Sequence, residues 1–503
     1  MLKKLLIYLM ILATLLTVLV GCQNEQTPNG EETVTDSSEE TKKDVASDEE
    51  FNIESFLPSS LNFDKAEVMI HVRGDGNTVK EIGLEEDGSA LSSELFERTG
   101  RTEERLNVVL AVANAGNSYG VYNAQIAAIR NSIQQGFATY DLIAGWSPRI
   151  PVLASEGLFY NLNMFEFFES SHEWWSQSLA KELCVNERLY MATGDVSLEY
   201  MDDCHAIIFN QTMASAYGYN YSTFYEIVSQ GEWTLDYLYE LSKNVYDNKN
   251  GNDAVDAGDA FGFIYSGTLV SQAFYGSCGV KVIENNGTDR PTLNFDVSFI
   301  QSAYEKVRLL MIDNPGAQNV DAFTGVVLTD YFSQGNGLFM LGQLGSLYEL
   351  NDMSGGYGVL PTPKYNAEQS SYYSQIHACS LWSVPVDAKD PEMSAAVMTS
   401  LGYDSNRLVV EPHFEKVLKT RYVKDSESGY MIDTIYNNIF MNFDSIYNEV
   451  MGAEITNKAT MPMFIFDTLL KKNDGSSVSS WWASNESTLR SKFETIVDGF
   501  YEG

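Results

Sequence analysis

Glu67-Val-Met-Ile-His-Val-Arg73, Asn107-Val-Val-Leu-Ala-Val-Ala113 and Tyr140-Asp-Leu-Ile-Ala-Gly145 are three short apolar, β-rich runs, and what lies between them decides the fold. Between the first two, Leu91 to Leu106 reads as a helix dense in charge. Between the second and third, Val121 to Gln135 carries Ile126, Ile129 and Ile133, the three-and-four spacing of one buried helical face. Strand, helix, strand, helix, strand predicts an α/β fold with a parallel sheet and crossover helices. Ligands of such open sheets sit beyond the carboxyl ends of the strands. The Arg73-Gly74-Asp75 loop and the Gly145-Trp146-Ser147 loop therefore share one rim.

Upstream, Lys3 and Lys4 precede an apolar run from Leu5 to Val20 that closes on Leu19-Val20-Gly21-Cys22. That run is shorter than the roughly 20 residues a spanning helix needs. A charged start, an apolar run and small residues before a cut describe an export signal over 1–21. The ending resembles the lipobox of bacterial lipoproteins, which implies that Cys22 is acylated, as by palmitate, and becomes the mature N-terminus. An ordinary cleaved signal with an incidental Cys is the alternative. Residues 23–50 hold ten acids, two lysines and almost nothing apolar, too little to offset chain entropy. Residues 22–50 are thus expected to be a disordered acidic tether.

With 503 residues the remainder exceeds the size at which one core keeps growing, so two domains are expected. Apolar residues at 44% and aromatics at 12% suffice for packed cores. The net charge of −37, which becomes −39 once Lys3 and Lys4 leave with the signal, argues against nucleic acid or anionic lipid as partner. Cys184, Cys204, Cys278 and Cys379 have no Cys-x-x-Cys spacing, so buried free thiols are expected.

Further along, Thr234 caps a helix whose Leu235, Leu238, Leu241 and Val245 form one face. Next comes a loop from Asn248 to Asp259 with oxygen side chains at Asn248, Asn250, Asn252, Asp256 and Asp259, and the Ala254 carbonyl at its seventh position. That is the spacing by which a twelve-residue loop wraps Ca²⁺. Asn248 stands where Asp is usual, Asp253 where Gly is preferred, and Asp259 where a longer Glu closes strong sites. A structural Ca²⁺ and an Asn/Gly/Asp turn needing no ion both remain open; no other cofactor is required.

The ordered series Tyr140–Gly145, Ala154-Ser-Glu-Gly-Leu158, Gly231-Glu-Trp-Thr-Leu235, the Asn/Asp loop, Phe261-Gly-Phe263, Gly337-Leu-Phe-Met-Leu-Gly342, Tyr357-Gly-Val-Leu-Pro-Thr-Pro363 and Pro385-Val-Asp-Ala-Lys-Asp-Pro391 resembles the extracellular solute-binding proteins of ABC importers, in the sugar- and oligosaccharide-binding branch. The resemblance implies a two-lobe periplasmic-binding-protein-like α/β fold with hinge strands and a C-terminal helical region. Lobe 1 would take 51–204 and 376–428, and lobe 2 would take 205–375 and 429–503, including a last helix from Ser487 to Phe500. It also implies a monomer, held at the outer face of the cell membrane by its lipid alone, that hands solute to permease subunits.

A sugar cleft wants aromatic plates and hydrogen-bonding side chains. Loops expected to face it supply Arg73, Asp75, Trp146, Asp195, Gln343, Tyr373 and Trp382. The alternative is an exported glycoside hydrolase, which needs two carboxylates about 5 to 9 Å apart. No motif singles such a pair out of the 69 acids, and Gly-x-Ser-x-Gly, His-Glu-x-x-His and phosphate loops are missing.

Overall fold

The computed structural model describes residues 52–73, 80–114, 119–267, 269–350, 352–412, 426–452, 457–472 and 474–502. The expectations for the signal, Cys22, the tether and Asp75 lie outside the described residues.

Strands β1 (Ala66–Val72), β2 (Val108–Asn114) and β3 (Leu142–Trp146) alternate with helices α1 (Ala90–Leu106) and α2 (Tyr119–Gln135). Local chemistry sets the limits of α1. Ser89 accepts the Ser92 N–H as its cap, and Asn107 ends it at φ 50°, a left-handed conformation that Asn tolerates. Short α3 (Pro151–Ser155) follows, and the chain passes through α4 (Glu199–Asp202) into β4 (His205–Asn210). Then come α5 (Leu235–Ser242), β5 (Tyr246–Asp247), β6 (Ala260–Tyr265), α6 (Leu269–Ser277), α7 (Val297–Met311), β7 (Ala317–Asn319), β8 (Gly337–Gln343) and β9 (Tyr357–Pro361). The last part holds β10 (Ser374–Gln375), β11 (Ser380–Ser383), α8 (Pro391–Ser405), α9 (Ser426–Tyr436), β12 (Ile439–Phe440), α10 (Asn448–Met451) and α11 (Val478–Glu502).

Two sheets organise these elements. The first has the order β11-β3-β1-β2, with β1 parallel to β2 and β3 and β11 antiparallel to β3. The second has the order β9-β4-β8-β6-β5, with β7 also on β6. Their centres are apolar: Val68, Ile70, Leu142 and Leu381 in the first sheet and Ile207, Phe209, Phe263 and Phe339 in the second are fully buried.

Two stretches link the sheets side by side. Ala192 pairs antiparallel with Trp382, Cys204 with Ile376, and His377 donates its N–H to the Asp203 carbonyl at 3.0 Å. Helix α8 packs on α1 through the Arg105–Asp404 ion pair at 2.6 Å and the Thr102–Ser400 hydroxyl contact at 2.9 Å. Helix α9 instead reaches β9, where Ser428 takes the Val359 N–H at 3.2 Å.

The last helix differs from its expected form. It runs from Val478, not Ser487, and its 25 residues span about 37 Å. Val478 N–H donates to Gln301 of α7 at 2.9 Å, beside the second sheet. At its other end Gly499 lies so close to α3, beside the first sheet, that an added Cβ would stand 1.9 Å from the Ser155 carbonyl oxygen. One helix therefore touches both halves rather than the second alone. Cys184, Cys204, Cys278 and Cys379 are free thiols, the last three buried. Among the described residues no helix is long and apolar enough to cross a membrane.

Candidate functional site

The carboxyl ends of β1 and β3 are adjacent because β1 and β3 pair in parallel from Ile70–Leu142 to Val72–Ala144. Arg73 leaves β1 there, and its guanidinium lies 5.6 Å from the ring centroid of half-buried Trp146, the last residue of β3. The sheet thus brings together two groups that sit 73 positions apart in sequence. Arg73 also forms an ion pair with Glu199 of α4, in the stretch that crosses to the second sheet. One turn past β3, Arg149 forms a second ion pair, with Glu449 of α10, and donates to Asn123 of α2 at 3.0 Å.

The second sheet contributes from its own carboxyl ends. Gln343 at the end of β8 donates to the Asp203 carbonyl at 3.1 Å. Gln272 of α6 meets the His377 ring at 2.5 Å. Burial, and then neighbouring His205, Lys458 and Arg73, push the His377 pKa down to about 3, which keeps the ring neutral. Behind Glu199 lies Glu81, fully enclosed, whose carboxylate accepts from the Leu198 N–H at 3.1 Å. Burial, then the like charge of Glu199, raises its pKa to about 8, while Arg98 acts in the opposite sense. The crossing segment thus meets the first sheet through Glu199, paired with Arg73, and the second through the Asp203 carbonyl, which accepts from Gln343 and the His377 N–H. Together these groups offer an aromatic plate, paired charges and side-chain amides, a set suited to hydroxyl groups.

Of the residues expected at the site, Arg73 and Trp146 come together, and Gln343 reaches the crossing stretch beside them. Asp195 has a different task. It takes hydrogen bonds from Tyr436 Oη at 2.5 Å and Asn406 Nδ2 at 2.7 Å, and burial raises its pKa to about 6. It ties α9 and the end of α8 to the crossing stretch. Tyr373 packs its ring 4.9 Å from Phe440. Trp382 stands opposite Ala144 inside the first sheet, fully buried, so neither face of its ring is open to a solute. Its strand is central to packing, and that packing covers the plate its sequence position suggested.

Arg149, Glu199, Glu449, Gln272 and His377 are additions from the fold. Arg149 alone had a readable signal, three residues after a strand-ending Trp. Glu199 and Glu449 are ordinary among 69 acids until the fold sets each against an arginine.

The Asn248–Asp259 loop is folded inward on itself. Asn250 and Asn252 donate their amides to the two Asp256 carboxylate oxygens at 2.8 and 2.7 Å, and these donors hold its pKa below the usual carboxylate range. Gly258 approaches so closely that a Cβ there would meet Asn250 Nδ2 at 2.4 Å. Asp259 accepts the Asp256 N–H and the Tyr246 hydroxyl, both at 3.1 Å, through Oδ2, while its buried Oδ1 has no hydrogen-bond donor. Among the described residues no group of three His, Cys, Asp or Glu is placed to hold a metal. An ion here would have to rely on amide and carbonyl oxygens around two carboxylates.

No family model and no curated protein matches the sequence. Solved structures do match in fold. An ABC-transporter solute-binding protein from Thermotoga lettingae TMO, bound with α-D-tagatose, is 15% identical at a TM-score of 0.53, covering 86% of this chain and all of that one. A cyclo/maltodextrin-binding protein complexed with maltotetraose is 11% identical at 0.55, covering 86% and 98%. UgpB from Mycobacterium tuberculosis, in complex with glycerophosphocholine, is 12% identical at 0.56, covering 86% and 99%. All three are binding proteins, and the chain has their fold: two α/β lobes, each on its own sheet, joined by paired crossing strands, with a helical C-terminal region.

Proposed function

We propose that this chain captures an extracellular solute for an ABC importer, and that the solute is hydroxyl-rich, a carbohydrate. The observation that carries this reading is that polar groups of both lobes meet on one short crossing segment, Arg73 beside Trp146 reaching Glu199 and Gln343 with His377 reaching Asp203. A solute bridging such groups favours the closed arrangement of the lobes and shifts the population toward it. The tagatose and maltotetraose held by two of the similar structures are carbohydrates, which supports the solute class, whereas the glycerophosphocholine held by the third is a phosphodiester. Delivery to permease subunits follows from the same reading, as does attachment to the membrane through lipid on Cys22. This reading assigns the chain no catalytic step.

Calorimetry against a panel of mono- and oligosaccharides, paired with small-angle scattering, tests the proposal. We expect at least one member to bind and to reduce the radius of gyration, and Trp146→Ala to lose that binding while its melting temperature stays close to wild type. A panel in which nothing binds, or a bound sugar that is hydrolysed, would overturn it.

A structural ion is the second part of the proposal. In the Asn248–Asp259 loop, Ca²⁺ would be held by Asn248, Asn250, Asn252, Asp256 and Asp259 with the Ala254 carbonyl. The supporting observation is the Asp259 Oδ1 atom, buried with no donor, in a loop whose amides already turn positive N–H ends on Asp256. The ion would staple the loop and do no chemistry.

A further inference from the structure

Both arginines of the candidate site already have a carboxylate. The Arg73 and Glu199 side chains are 10% and 11% exposed, and those of Arg149 and Glu449 are 5% and 7% exposed. In each pair the cation comes from the carboxyl end of a strand in the first sheet. The anion comes from elsewhere, the crossing stretch or α10.

Paired burial of this kind is no general stabilising device, because the desolvation it costs often cancels the Coulombic gain. Its effect on recognition is larger. A guanidinium without a partner, half shielded from water, is the side chain best shaped to grip a carboxylate, sulfate or phosphate in two-pronged fashion. With Glu199 and Glu449 in place that capacity is used internally, and neither arginine presents an uncompensated positive charge. The remaining charge points the same way. His377 is neutral and the chain as a whole carries −37, a field that disfavours an approaching anion.

We infer that Glu199 and Glu449 act as a charge filter, neutralising Arg73 and Arg149 so that the site takes uncharged hydroxyl-rich solutes and refuses carboxylated or sulfated sugars. This rests on the proposed solute-capture function and adds which carbohydrates that site accepts.

The test uses the full-length protein in detergent micelles and matched ligand pairs that differ in charge alone. Suitable pairs are oligogalacturonides with their methyl esters, and xylo-oligosaccharides with and without a glucuronosyl branch. For any pair whose neutral member binds, the acidic member should bind about 100-fold more weakly, since a carboxylate taken out of water with no free countercharge to meet it is strongly disfavoured. Glu199→Gln takes away the carboxylate paired with Arg73 and should narrow that gap to less than about tenfold. Glu449→Gln should do the same through Arg149, which covers the case in which one variant does not fold. The double variant Arg73→Gln/Glu199→Gln removes both charges and should restore the wide gap. Equal binding of neutral and acidic members by the wild type overturns the filter, as does a gap unchanged in the folded single variants. A panel in which no member binds at all overturns the solute-capture reading itself, a different result from either.

Discussion

Glu81 shows what one residue's surroundings can do. Its carboxyl is enclosed, faces the Glu199 charge and has a pKa of about 8 against an ordinary value of 4.5. A group whose folded pKa is raised holds its proton better folded than unfolded. It therefore adds stability that is fully present below about pH 4.5 and is lost as pH rises through about 8. Across that window the slope from this group is about 1.4 kcal/mol per pH unit at most. Glu81→Gln keeps the shape and cannot ionise. The melting temperature of the variant minus that of wild type should therefore rise from pH 5 to pH 8 in scanning calorimetry. The buried His71 and His205, whose pKa values burial lowers to about 4, titrate equally in both proteins and cancel. A difference that stays flat across the range would remove Glu81 from this role. At this scale the sequence showed Arg73 and Trp146, because both sit where apolar strands end. It did not show that Trp382 is sealed or that Asp195 is a tie. Enclosure depends on neighbours that arrive from hundreds of positions away.

Among the elements, those with local signals follow their sequence closely. Helix α1 has its Ser89 cap and its Asn107 stop, α8 has Asp390 and Pro391 at its start, and α5 has the Thr234 cap. The Asn248–Asp259 loop belongs with them, since its side chains bond within twelve residues. Added Ca²⁺ at about 100 times its dissociation constant should raise the melting temperature by about 3 °C or more, and a chelator should reverse it. Asp259→Asn should abolish that shift. An unchanged wild-type melt would leave the loop as a hydrogen-bonded turn without an ion. Helix α11 carries such a signal as well, Ser477, whose Oγ accepts the Ser480 N–H at 3.2 Å, and the expected start at Ser487 passed over it. What its own periodicity cannot reveal is that α7 meets it at one end and α3 at the other.

For the whole molecule, the proposed mechanism needs a clamp that swings free of the cell surface. In that mechanism the acidic residues 23–50 would provide the spacing and Cys22 the anchor. Metabolic labelling with a palmitate analogue should mark the wild-type protein and not Cys22→Ser, and the variant should appear in the medium. Equal labelling of both would end the lipoprotein reading. Closure must also contend with α11, which rests on both lobes, so any hinge motion is accompanied by slip or bending along that helix.

The sequence by itself determined the α/β class, the parallel order of the first three strands and the helix caps. All of these arise from contacts within a few residues or from a period of two or 3.6. Tertiary structure alone decided which acids meet Arg73 and Arg149, that Trp382 belongs to packing, and that the last helix spans both lobes. A charge pair 126 positions apart, such as Arg73 with Glu199, leaves no trace in local pattern. It exists because two sheets and their crossing strands close one space around both side chains.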